Sequence, residues 1–489
     1  MERLRNCVSR PGVLSGRYFS TMALLLALAW PCRAIAQAPV ANASTRVVAT
    51  PIPQSSNADP TGTSVSKPAA TTPSSSGAFP ATQINAVLPK WLRFSGEYRM
   101  RPEEHTAYSF APANNDAFFL SRLKLNIEVK PTSWMSTFVQ AQDSEAVGIK
   151  TSHITQSIKD VFDLHQAYIQ VQNGENAWIQ FRAGRQDLRY GQERLIGISD
   201  WTNAPRVYDG FRLIVGPSKD HVDVFSTSVV VNNPIAFDRL PAGLHFHGVY
   251  GSLSSLVPKA SVEPFVLWKD LPSVKSEEGT FGRENLWTYG FRWTGKLPAN
   301  VDYTVETAKQ SGKFSADAIR AWAGYANVGY TAVKIPLKPR FLIQYDYASG
   351  DNALKDGKVG RFDQLYPSNH DVFGLVDLLG WQNIIQIRAG VEVHPMDHLT
   401  VNFDYRDLQL ATGNDSLYSS TGSVLVKTPA TGALHTDVGQ EPDLLARYDL
   451  RANVTVGAGY GYLFTGRFLK ENSPGDRATI DYAFATYRF

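Results

Sequence analysis

The sequence predicts an all-β fold, a transmembrane antiparallel β-barrel of about 18 strands, preceded by a signal peptide and a disordered linker. Three observations predict it. Apolar and polar residues alternate with period two from about Pro89 to Phe489, with turn chemistry between the runs. The runs reach about nine to eleven residues, the length a tilted strand needs to cross a bilayer. The chain also ends on Tyr487-Arg488-Phe489, which places two aromatics on one strand face at the terminus.

Taken in order, residues 1–36 read as a secretory signal. Arg3, Arg5, Arg10 and Arg17 precede the apolar run Met22–Trp30, and Ala34-Ile35-Ala36 supplies the small residues of a cleavage site before Gln37. The run is shorter than the roughly 20 residues of a spanning helix. Trp30 and Pro31 beside Cys32 argue against lipidation of that thiol. From 37 to 88, 32 of 52 residues are Ala, Ser, Thr or Pro, so the stretch buries too little surface to offset its ordering entropy and is expected to be a disordered periplasmic linker.

Residues 89–489 carry the barrel pattern. In Leu120–Lys130, Leu123, Leu125, Ile127 and Val129 share one face, and Arg122, Lys124, Asn126, Glu128 and Lys130 the other. The same split appears in Trp91–Arg101, Trp287–Thr294, Phe341–Tyr347, Val401–Arg406 and Arg447–Val454. A soluble sandwich also alternates, but with shorter strands and a partner sheet for the apolar face. Here Tyr, Trp and Phe gather near the run ends, as interfacial girdles require, and a sheet in lipid must close because its backbone groups have no other partner. About 400 residues at roughly 22 per strand give about 18 strands, a barrel too wide for side chains alone to fill. Asn173-Gly174 suits a periplasmic turn, and Ala141–Asp160, Asp351–Asp371 and Thr412–Asp443 are expected as outer loops or lids.

Composition excludes several classes. Both cysteines, Cys7 and Cys32, fall in the leader, so disulfides, thiol nucleophiles and Cys-ligated metals are not expected of the mature chain. Removing the leader also turns the formal charge of +3 into 43 basic against 44 acidic residues, which withdraws the case for nucleic-acid binding. His245 and His247 share a strand face without a third ligand, Pro395 separates His394 from His398, and no cofactor or metal is expected. Gly457–Gly461 superficially resembles a phosphate loop but leads into aromatic strand residues, so it reads as a low-volume patch of barrel wall.

Between 163 and 215 stand Asp163-Leu-His-Gln-Ala-Tyr168, Gly184-Arg-Gln186, Tyr190-Gly-Gln-Glu-Arg-Leu195, Asp200-Trp201 and Arg206-Val-Tyr-Asp-Gly210. Further on come Ser349-Gly-Asp351, Leu365-Tyr-Pro367 with His370, Gly374 and Asp377, and Gly439-Gln-Glu441 with Asp443. This ordered set resembles the alginate-export family of outer-membrane proteins, over essentially all of 89–489. The resemblance implies an 18-stranded barrel in the bacterial outer membrane. It also implies a lumen of arginines and lysines that passes an anionic uronic-acid polymer, loops that gate it, and a periplasmic secretion complex as partner. Tyr208 stands where the family more usually has Phe. The aromatic terminus, Tyr487 and Phe489, fits what the barrel-assembly machinery reads.

The residue chemistry agrees with an anion path, because guanidinium groups can replace the hydration shell of a carboxylate. Alternation assigns Arg122, Arg182, Arg212, Arg388, Arg406, Arg447 and Arg451 to the inner face, together with Arg93, Arg99, Arg101, Lys124, Lys130 and Arg292. Glu97, Glu128, Asp302, Glu306, Asp346, Glu392, Asp404 and Asp449 share that face, so pairing across strands is the plainer role for any single arginine. Among the motif positions, Arg185, Arg194 and Arg206 are expected to form a constriction cluster held by Glu193 and Asp209. Strict alternation, however, sets Arg185 beside Ile179, Phe181 and Ala183, unless Gly184 marks a bulge. The expected function is a passive channel for an anionic polysaccharide or acidic solute, with outer-membrane lipid as the partner of its apolar face, and no enzyme. The rivals are a general or nutrient-uptake porin, a barrel-embedded hydrolase and a plugged structural barrel.

Overall fold

A computed structural model describes residues 80–489, apart from 175–176 and 241–242. The predicted signal peptide and most of the predicted linker lie outside the described residues. The first strands are β1 (Leu92–Thr106), β2 (Asp116–Val129), β3 (Met135–Val147), β4 (Asp160–Gln172), β5 (Ile179–Gln186), β6 (Tyr208–Val215) and β7 (Asp220–Val229). Next come β8 (His245–Leu253), β9 (Ala260–Lys275), β10 (Phe281–Leu297), β11 (Val301–Phe314), β12 (Asp317–Thr331), β13 (Arg340–Ala348) and β14 (Lys358–Val359). The last are β15 (Ile384–Met396), β16 (Leu399–Leu410), β17 (Leu417–Tyr418), β18 (Val424–Val426), β19 (Asp437–Arg451), β20 (Val454–Thr465) and β21 (Ala478–Arg488). All but β14, β17 and β18 join in one antiparallel sheet, and β1 pairs with β21 to close an 18-stranded barrel.

The two faces follow the alternation. Along β10, Trp287, Tyr289, Phe291 and Trp293 are 39–42% exposed on the outer face, while Leu286, Thr288 and Arg292 are 0–1% exposed on the inner one. Connections after β2, β4, β6, β8, β10, β12, β15 and β19 are two to eight residues long, and the opposite end carries 187–207, 349–383 and 411–436. Short turns mark the periplasmic end, where Asn173-Gly174 and both barrel termini lie.

Three expectations need correction. β3 runs on to Val147, so the outer loop predicted over Ala141–Asp160 is only 148–159, and β19 likewise takes Asp437–Asp443 from the predicted Thr412–Asp443 loop. The single run read through Arg447–Val454 is two strands, with a tight turn at Ala452-Asn453. A two-residue turn keeps the alternation in phase on both sides, so periodicity alone passes over it. Finally, Pro80–Val87, at the end of the predicted linker, forms helix α1. Its Asn85 side chain donates to Phe94 O and accepts from Phe94 N, both at 2.8 Å, and so takes the place of a strand on β1 below its pairing with β21. That tertiary anchor supplies what composition lacks.

The same seam explains the aromatic terminus. Phe489 exchanges backbone hydrogen bonds with Gly96, at 2.8 and 3.0 Å, and its ring occupies the space that a Cβ on Gly96 would need. The glycine patch is also accounted for. Tyr482 and Phe484 of β21 point inward, opposite Gly459 and Gly457, where added Cβ atoms would stand 2.2 and 2.5 Å from the rings.

Candidate functional site

The lumen is not an empty tube. Residues 187–207, between β5 and β6, and 349–383, between β13 and β15, turn inward and meet. Tyr366 N donates to Leu195 O (3.0 Å) and Gly197 N to Tyr366 O (2.8 Å), a parallel bridge across the barrel interior, and Ser368 N donates to Glu193 O (2.8 Å). Around it Leu188, Ile196, Phe362, Phe373, Leu375, Leu379 and Trp381 are at most 1% exposed. The apolar core of this protein therefore lies inside the barrel, in a partition built from the two long loops.

Inner-face charges hold the partition to the wall. On β1 and β2, Arg99 donates to the carbonyls of Asp200, Trp201 and Thr202 at 2.8–3.0 Å. Arg122 reaches Asp200 O (3.0 Å) and Thr202 O (3.2 Å) and pairs with Glu97 (2.9 Å), while Lys124 pairs with the Asp200 carboxylate (3.0 Å). Arg101 hydrogen-bonds Trp201 O and lies 3.7 Å over the Trp201 ring. On the ring's other partner, His370 stacks at 3.6 Å between centroids and 2° between planes. Burial would raise the Asp200 carboxyl, but Arg122, Lys124, Arg189 and Arg99 outweigh it and hold the group well below the usual carboxylate range.

On the opposite wall, Arg194 pairs with Asp346 of β13 at 2.6 Å, with side chains 4% and 0% exposed, and lies 3.7 Å over the Tyr325 ring. Tyr190 Oη donates to Asp223 (2.9 Å), and Asp363 pairs with Lys269 and exchanges hydrogen bonds with Gln310 at 2.7 and 2.8 Å. Asp371 pairs with Arg406 (2.9 Å), and Val376 N donates to Glu441 (2.9 Å). The paired motif residues Asp200-Trp201, His370, Gly374 and Glu441 are thus the points where the loops dock. Gly374, at φ +107°, lies where a Cβ would overlap the Glu441 carboxylate.

The predicted constriction cluster is not assembled as expected. Arg185 stays on the outer face with Phe181, in register with Asp209, and forms a two-pronged pair with it at 2.9 and 3.1 Å. Gly184 pairs directly with Gly210, so no bulge turns the strand there. Asp209 does hold Arg185, but outside the lumen. Arg194 and Arg206 both lie in the inward loop, where Arg206 donates to Gly197 O (3.0 Å) and Pro367 O (3.2 Å) and so ties the two loops together. Glu193 holds neither; it accepts from Ser368 Oγ (2.6 Å) and pairs with Arg189 (3.2 Å).

Of the remaining predicted lumen residues, Arg182 donates to Gln170 (2.7 Å) and lies 4.1 Å over Tyr168. Arg212 pairs with Asp223, Arg388 with Asp404 (2.8 Å), Arg406 also with Asp443, and Arg447 with Asp449 (3.3 Å). Arg451 is exposed beside the periplasmic turn at 452–453. Arg189 escaped sequence reading, yet its side chain is 45% exposed on the inward loop. Nothing near it in the sequence distinguishes it, because its setting comes from the folding-in of the loop.

The alginate export family matches residues 90–484. Among solved structures, Acinetobacter baumannii OccAB2 is similar at TM-score 0.56 and 10% identity, over 81% of this chain and 98% of that one. Pseudomonas aeruginosa OpdO (TM-score 0.54, 11% identity, 83% and 99% coverage) and OpdQ (0.54, 12%, 81% and 97%) share the barrel likewise. No curated protein matches the chain. With its closed 18-stranded wall, its inward loops and a family match spanning the barrel from end to end, the chain belongs to the alginate export family and is a barrel of the bacterial outer membrane.

Proposed function

We propose that this barrel is a passive channel for an anionic polysaccharide or a smaller acidic solute, and that it carries no catalytic residue. The observation that supports this most is the strip Arg99, Arg101, Arg122 and Lys124, which faces the lumen and grips three carbonyls and one carboxylate of the inward loop. Uronate residues offer the same groups, oxygen acceptors and a carboxylate, to the same donors. On this reading the Asp200–Thr202 segment occupies the strip at rest. An anionic cargo competes for it, and passage follows when the segment gives way. Tyr487 and Phe489 serve recognition by the barrel-assembly machinery, and a periplasmic secretion complex delivers the cargo.

The test is planar-bilayer current through the wild type and through Arg122→Gln/Lys124→Gln, with uronate polymer or neutral sugar added. Anion preference that falls in the double variant, with block by the polymer and not by the sugar, is expected. Cation preference in the wild type, or none, would return the strip to structural pairing and leave a general diffusion porin.

A further inference from the structure

Outside the lumen, one sector of the wall carries cations that nothing in the fold employs. On β11, Lys309 and Lys313 point outward, and on β12 so does Arg320; all three are exposed, and none forms an ion pair with another described residue. Their spacing is set by the register. Ser311 lies directly opposite Arg320, with Lys309 and Lys313 two positions to either side, so both lysines are diagonal neighbours of the arginine, about 7–8 Å apart at the backbone.

What lies beside them matters as much. Lys309 is in register with Tyr289 on one side and Trp322 on the other, and Ser311 with Trp287. These three rings are 39–51% exposed on the outer face and form the extracellular end of the aromatic girdle in this sector. The cations therefore begin at the girdle and continue away from the periplasm, toward the β11–β12 turn at 315–316. Lysine stems can lie along the aromatic surface while their ammonium groups reach outward. The nearest outward acid in the sheet, Asp270, is already paired with Arg283.

We infer that Lys309, Lys313 and Arg320 form a binding surface for a phosphorylated glycolipid headgroup of the outer leaflet, flanked by Trp287, Tyr289 and Trp322. A compact triad of cations suits phosphate, which arginine takes in two-pronged fashion and lysine as a point charge. The flanking rings of the girdle fix the depth at which the acyl chains begin. A soluble phosphate finds the cations but not the girdle, so the surface selects lipid. The proposal does not depend on what passes through the lumen.

The experiment is native mass spectrometry of the whole chain in detergent with three probes: diphosphoryl lipid A, the same lipid without phosphates, and inorganic phosphate. The wild type is expected to retain one diphosphoryl lipid A at least tenfold better than the dephosphorylated form, and millimolar inorganic phosphate should not displace it. Lys309→Gln/Lys313→Gln/Arg320→Gln should abolish that preference. Lys219→Gln/Lys259→Gln/Lys296→Gln, which removes three exposed charges at periplasmic turns, should keep it. Equal retention of both lipids by the wild type, full preference in the first triple variant, equal loss in the second, or displacement by inorganic phosphate would each overturn the inference. Should the first triple variant fail to give a heat-modifiable barrel, Lys313→Gln alone is expected to lower the preference about threefold, and an unchanged preference there counts against it.

Discussion

Replacing Arg194 with Ala should loosen the partition without opening the wall. Arg194 is the inward loop's tie to β13, far around the barrel from the Arg99–Lys124 strip. Removing one partner of a buried ion pair costs about 3–5 kcal/mol. Asp346 keeps donors from Gln344 (2.7 Å) and Gln386 (2.8 Å), so the lower end applies. Loss of the guanidinium over Tyr325 adds about 1–2 kcal/mol for a desolvated site. Together, about 4 kcal/mol would raise the undocked population of 187–207 by roughly three orders of magnitude, at about 1.4 kcal/mol per tenfold. Amide exchange of peptides covering 187–207 should speed up accordingly, up to the limit set by the loop's other ties. Single-channel current should become noisier or larger, and the barrel should keep its heat-modifiable mobility. Arg185→Ala, the same change on the outer face, should leave exchange at 194–202 alone. Exchange in Arg194→Ala within twofold of wild type would refute the idea that this pair holds the loop.

Two further outcomes follow from particular atoms. Gly184→Ala should prevent stable β4–β6 assembly, because φ is +125° and the new Cβ would stand 2.2 Å from Ala167 O, a backbone atom that cannot swing away. We expect at least about 3 kcal/mol of lost stability, read as a lower heat-modification temperature. Asp238, in the loop between β7 and β8, has its carboxyl pushed up to about 6, by burial first and by Asp163 and Asp209 beside it, although Asn233 N and Arg185 oppose the shift. A folded value above the ordinary value of about 3.9 favours the folded loop at low pH and loses that support as pH rises through about 6. Exchange in 230–240 should therefore speed up between pH 4 and 6.5 beyond its intrinsic dependence, and Asp238→Asn should flatten that excess. A slope unchanged by Asp238→Asn would dismiss the assignment.

The wall was legible in the sequence because alternation is local: Leu123, Leu125 and Ile127 face out and Arg122 and Lys124 face in from strand geometry alone. The same rule put Arg185 beside Phe181, and the fold kept it there against the motif's suggestion of a lumen role. The strand count, the periplasmic Asn173-Gly174 turn and the low-volume glycine patch follow from equally short-range patterns. The interior was different. Asp200 meets Arg122 across 78 positions and Arg194 meets Asp346 across 152, and no periodicity links such pairs. Sequence therefore determined that this chain forms a wide barrel with charges facing inward. Only the tertiary structure decided which of those charges pair along the wall, as Arg212 does with Asp223, and which hold two infolded loops, because a closed sheet this wide leaves a space that the chain's own loops can enter and dock.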